Sequence, residues 1–147
     1  MTQPLILLTT DFSPDAARAY PKTVEMANRI GGRILLLHVV EATPIAPHGA
    51  PLAPAQVAPD TPQLVKDAEK QMAAEAPKLG SDVPVETLVT HAADVVDAIV
   101  RVAGDRGAAY IAISTHGRTG LRRLVLGSVA EAVVRHAKVP VVCFPGH

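Results

Sequence analysis

The chain has 147 residues, 14 basic and 14 acidic, with 48% hydrophobic and 19% charged side chains. That length and balance suit one globular domain with a real core and exclude a disordered chain. Phe12, Tyr20, Tyr110 and Phe144 are the only aromatic residues and Cys143 the only cysteine, which argues against base stacking on single-stranded nucleic acid and against a disulfide or cysteine metal cluster.

The first apolar run, Leu5–Leu8, ends at Thr9-Thr10-Asp11 and reads as a buried strand. No basic leader precedes it and Asp11 follows too soon for a membrane span, so a cytoplasmic protein without membrane contact is expected. Ser13-Pro14-Asp15 is a helix start, with Ser13 as N-cap and Pro14 at the first helical position. The helix is expected to run to Ile30 with Tyr20, Val24, Ala27 and Ile30 on one side, bent at Pro21 and ended by Gly31-Gly32. Residues 34–40 form a second strand. Residues 41–62 carry six prolines and are expected to be a mobile excursion.

A helix follows over residues 63–79, then an edge strand over 83–90 that contains Pro84. Residues 94–103 place Val96, Ile99, Val100 and Ala103 on one helical stripe. Residues 109–113 form a fourth strand, 129–137 a helix and 139–144 a fifth strand. This alternation, with several strands apolar on both faces, predicts an α/β fold: a mainly parallel open sheet covered on both faces. No repeat or second domain interrupts residues 1–147. In such sheets ligands bind beyond the carboxyl ends of the strands, where strand order reverses. The segments to inspect are Thr9–Asp11, Val39–Glu41 and the stretch STHGRTGLRRLVLGS at 114–128.

Residues 114–147 hold five basic residues and one acidic residue, a concentration that suits a small anion better than a nucleic acid. Gly127-Ser128 opens the last helix, whose first amides could meet a phosphate. The same amides are claimed by a simpler reading. Ser128-Val129-Ala130-Glu131 has the spacing of a capping box, and from these residues alone capping is the commoner outcome. Gly117 suits a sharp turn beside a ligand or a plain turn. Asp11 can accept hydrogen bonds from a base or ribose, or help to cap the helix after it.

The blocks LLTTDFSPDA, LLHVVE and ISTHGRTGLRRLVLGSVAEAVVRHAKVPVV resemble the universal stress protein family across essentially the whole chain. The resemblance implies the adenine nucleotide α-hydrolase-like fold, with five strands in the order 3-2-1-4-5. Nucleotide-binding members carry Gly-x2-Gly-x9-Gly-Ser/Thr, which falls here on Ser114, Gly117, Gly127 and Ser128. Ser114 in place of glycine is a departure that sets a side chain against the nucleotide. Two others lie outside the site: Ala92-Ala93-Asp94 before the third helix and Ala109 entering the fourth strand. The resemblance implies ATP or AMP near Thr9, Asp11, the Val39 backbone, Ser114, Thr115, His116, Gly117, Gly127, Ser128 and Val129. Mg²⁺ would meet Asp11 through phosphate oxygens. It also implies a homodimer through residues 139–144, whose apolar edge would otherwise stay unpaired.

Three functions compete: a regulatory nucleotide-binding stress protein without efficient turnover, a dimeric scaffold acting through unidentified protein partners, and an enzyme. The enzyme lacks its motifs. There is no Gly-x4-Gly-Lys-Ser/Thr, no Ser-Gly-Gly-x-Asp-Ser and no Gly-x-Ser-x-Gly. His116 reads as a loop donor or packing group, and His38, His91 and His136 have no metal-ligand spacing. Arg118, Arg122 and Arg123 could clamp phosphates, although at least two of them read better as a solvated face. The regulatory nucleotide binder is the expected function, with slow ATP hydrolysis at most.

Overall fold

The computed structural model describes residues 2–42, 60–115 and 126–145. Most of the proline-rich segment lies outside the described residues, as do His116, Gly117, Arg118, Arg122 and Arg123. Five strands, β1 (Leu5–Thr9), β2 (Arg33–Glu41), β3 (Val85–Ala92), β4 (Tyr110–Ser114) and β5 (Val141–Phe144), form a sheet in the order β3-β2-β1-β4-β5. All four pairings are parallel, with Leu7 of β1 opposite Leu35 on one side and Ile111 on the other.

The side-chain alternation of the strands supplies two cores. Leu5, Leu7, Leu35, Leu37, Ile111 and Ile113 point to one face. There they meet Ile99 and Val102 of α4 (Val95–Asp105) and Ala130 and Val133 of α5 (Ser128–His136). Ile6, Leu8, Ile34, Leu36 and Ala112 point to the other face. They meet Tyr20 and Ala27 of α2 (Tyr20–Ile30) and Met72 of α3 (Thr61–Glu75). Each such aliphatic side chain removed from water contributes about 1.5–3 kcal/mol, so strands apolar on both faces need both helical layers.

The single bent helix expected over residues 14–30 is instead two helices, α1 (Pro14–Ala17) and α2. Ser13 caps α1, accepting from Ala16 N–H at 3.1 Å. The chain then tightens: Ala19 N–H bonds back only to Ala16 O, at 3.1 Å. Pro21 therefore sits in the first turn of α2, where a missing N–H leaves no helical bond unmade. It starts a helix rather than bending one. Gly31 ends α2 at φ +63°, the left-handed conformation that favours glycine. Ile30, expected inside, is 37% exposed, and Thr23 is buried in its place with its hydroxyl on Ala19 O at 2.7 Å.

Residues 76–79 continue α3 as a turn of 3-10 helix. β3 is an edge strand, as expected, entered just after Pro84. Its Glu86 pairs with Arg106 and Arg33, and charge on an edge discourages pairing with another chain. β5 forms the opposite edge with half-buried, apolar side chains and no such charges. The carboxyl ends of β1, β2 and β4 lie along one side of the sheet. The chain winds outward from β1 through β2 to β3, then crosses back to β4, so strand order reverses between β1 and β4.

Candidate functional site

A cleft of about 560 Å³ opens over that reversal point. β1 and its following loop contribute Thr9, Thr10 and Asp11, and β2 contributes residues 37–41. Ser114 and Thr115 come from β4, and Gly127, Ser128 and Val129 from the start of α5. All the expected site residues that the structure describes, eight in number, line this one cleft. The other two, His116 and Gly117, lie outside the described residues.

The start of α5 differs from the capping box. Gly127, not Ser128, is the N-cap, and among the described residues no side chain caps the first turn. Two backbone bonds set this start: Gly127 N–H donates to Thr115 O at 2.7 Å, and Gly127 O accepts from Glu131 N–H at 2.9 Å. Ser128 becomes the first helical residue, and Glu131 turns to Arg135 at 2.8 Å. The first turn of α5 therefore lines the cleft with amides that meet no side-chain acceptor among the described residues, and a helix start of this kind favours an anion. Gly127 is required for another reason than ligand approach. A Cβ there would lie 2.9 Å from Thr115 O.

Ser114, the departure from the glycine motif, donates its hydroxyl to Asp15 O at 3.1 Å. That bond turns the hydroxyl toward α1 and ties the end of β4 to it. Asp11 Oδ1 accepts from Ser13 N–H at 2.9 Å, so it does support the helix start while also lining the cleft. Its backbone neighbour Phe12 has φ +66° and stacks its ring on His38, centroids 4.2 Å apart.

Several lining residues escaped the sequence reading. His38 faces the cleft with Nδ1 at 2.8 Å from Thr10 O. A carbonyl only accepts, so Nδ1 carries the hydrogen. A lone imidazole near the end of an apolar strand was the available signal. Leu64 and Ala68 of α3 and Val95 and Ile99 of α4 supply apolar walls, and Gln71 of α3 adds a polar amide. The i, i+4, i+7 spacing of the α3 residues was visible, but not which way that face turned. Among the described residues no group of three histidine, cysteine or carboxylate side chains could hold a metal ion, and no helix is long and apolar enough to cross a membrane.

Comparison with known proteins agrees with this fold. The chain is 28% identical over 142 residues to a universal stress protein of Methanocaldococcus jannaschii, covering 93% of this chain and 79% of that one. Its fold matches a universal stress protein of Archaeoglobus fulgidus solved in complex with dAMP (TM-score 0.66, 20% identity, 96% of each chain). It also matches a universal stress protein solved in complex with cAMP (TM-score 0.62, 18% identity, 100% of each chain). The model of the universal stress protein family fits residues 5–145, and the chain belongs to that family.

Proposed function

We propose that the cleft binds an adenine nucleotide, ATP or AMP, in a regulatory role without efficient turnover. The observation that carries this reading is the start of α5, opening uncapped into a cleft of nucleotide size. Asp11 would accept from the ribose or base, and the Val39 backbone would meet the adenine. Thr115, Ser128 and the first amides of α5 would hold phosphate. Ser114 does not block this arrangement, because its hydroxyl is engaged by Asp15 O. The family relatives with dAMP and cAMP support an adenine ligand. Mg²⁺ bound with ATP would neutralise phosphate charge beside Asp11.

Calorimetric titration with ATP and AMP tests the reading. Both are expected to bind the wild type, and Asp11→Ala to weaken binding at least tenfold, or about 1.4 kcal/mol. ATP incubated with the protein and Mg²⁺ is expected to be recovered mostly unhydrolysed. Rapid phosphate release would contradict the regulatory role, and no heat with either nucleotide would remove the reading altogether. The apolar edge of β5 favours a second element of the proposal, a homodimer paired through this strand.

A further inference from the structure

A buried chain of polar groups runs below the cleft from the end of α3 to the loop after β1. Its members are Glu75, Tyr20 and Thr10, 5%, 2% and 6% exposed. Glu75 is held by Lys78 Nζ at 2.9 Å and offers only acceptors. The Tyr20 phenol, with one hydrogen, therefore donates to Glu75 Oε1 at 3.0 Å and accepts from the Thr10 hydroxyl at 2.7 Å. The Thr10 oxygen in turn accepts from Phe12 N–H at 3.1 Å. Every link has a defined direction. The Thr10 backbone is also held, its N–H on Leu37 O at 2.9 Å and its carbonyl on His38 Nδ1 at 2.8 Å.

This chain ends on an unusual conformation. Phe12 is the only non-glycine residue with positive φ among the described residues. A bulky side chain is disfavoured there and persists only where its surroundings fix it. The Thr10 hydroxyl holds Phe12 by its amide and the His38 ring holds it by its face. Asp11, which lines the cleft, lies between Thr10 and Phe12, so its backbone is placed by theirs. The other end of the chain, Glu75, belongs to the helix that carries Leu64, Ala68 and Gln71 into the same cleft. Apolar side chains would fill these core positions without any need to pair buried polar groups, and a glutamate is seldom buried unless paired.

We propose that Tyr20 and Glu75 are positioning residues for nucleotide binding, acting through Thr10 to hold Phe12 left-handed and Asp11 in the cleft. Neither Tyr20 nor Glu75 lines the cleft, so they touch no ligand there. The proposal rests on the nucleotide reading above.

A double-mutant cycle of Tyr20→Phe and Asp11→Ala, titrated with AMP, tests it. Tyr20→Phe is expected to weaken binding at least fivefold in the wild type and to add no loss in the Asp11→Ala background. The same loss in both backgrounds, or none in a folded Tyr20→Phe protein, would overturn the proposal. Glu75→Ala in the same cycle carries the test if Tyr20→Phe does not fold. A second reading needs no ligand: the amide resonances of Asp11, Phe12 and Ser13 should shift in free Tyr20→Phe protein, and unchanged resonances would overturn the proposal. A wild type that binds neither ATP nor AMP would defeat the nucleotide reading and with it the proposed role, whatever the resonances show.

Discussion

A Cβ at Gly127 would lie 2.9 Å from the Thr115 carbonyl oxygen, a backbone atom that cannot step aside. Gly127→Val should therefore lower the melting temperature as well as affinity, which makes it a poor probe of phosphate binding. Ser128→Ala is the cleaner variant. Because Ser128 does not cap α5, its replacement should change stability by less than about 0.5 kcal/mol. Ser13 and Asp94 do cap their helices, accepting from Ala16 and Asp97 N–H at 3.1 Å each, and Ser13→Ala or Asp94→Ala should cost about 1 kcal/mol by denaturant titration. The Ser-x-x-Glu pattern misled here because spacing cannot report the tertiary bond from Gly127 to Thr115. Tyr20 gives a pH prediction. Burial holds its phenol well above the ordinary value of 10.0, with the negative charge of Glu75 adding to the effect. The folded state then keeps a proton that the unfolded chain releases, so this stabilisation is present below pH 10 and is lost as pH rises beyond it. Thermal melts should show a steeper alkaline decline in the wild type than in Tyr20→Phe, and equal slopes would contradict this.

Pro21 shows what can be read at the level of an element. Inside one long helix, Pro21→Ala would restore a backbone bond and stabilise by about 3 kcal/mol. At the start of α2 it should change stability by less than about 1 kcal/mol, a difference that denaturant unfolding resolves. The proline was the visible sign of a second helix start, but the apolar period from Tyr20 to Ala27 masked the break at Arg18 and Ala19. Strands were easier to place. A parallel strand buried on both faces is nearly continuous in aliphatic residues, so Leu5–Leu8 and residues 34–40 announced themselves to within about two residues. The direction of α3 was not readable, since it depends on how the chain returns after residues 41–60. At the other edge, Val142 of β5 pairs with Ala112, and among the described residues no strand lies on the outer side of β5. Val142→Asp should convert a proposed dimer to monomer or aggregate by light scattering, and an unchanged dimer would move the interface away from β5.

At the scale of the whole molecule, a parallel sheet reverses strand order between β1 and β4 and gathers there the ends of three strands and the uncapped start of α5. That explains why motif residues more than a hundred positions apart, Thr9 and Val129, line one cleft. The topology also explains what the sequence could yield. Strand ends follow from the alternation of elements, whereas the cleft walls from α3 and α4 follow only from helix docking. The same arrangement couples the core to the site, since the polar chain from Glu75 ends beside Asp11. Whether this cleft holds an adenine nucleotide is decided by mass spectrometry of small molecules released when freshly purified protein is denatured. ATP or AMP is expected in wild-type samples and much less from Asp11→Ala prepared in parallel. Wild-type protein that releases no adenine nucleotide, and takes none up when it is then supplied with ATP and AMP, would contradict the nucleotide reading.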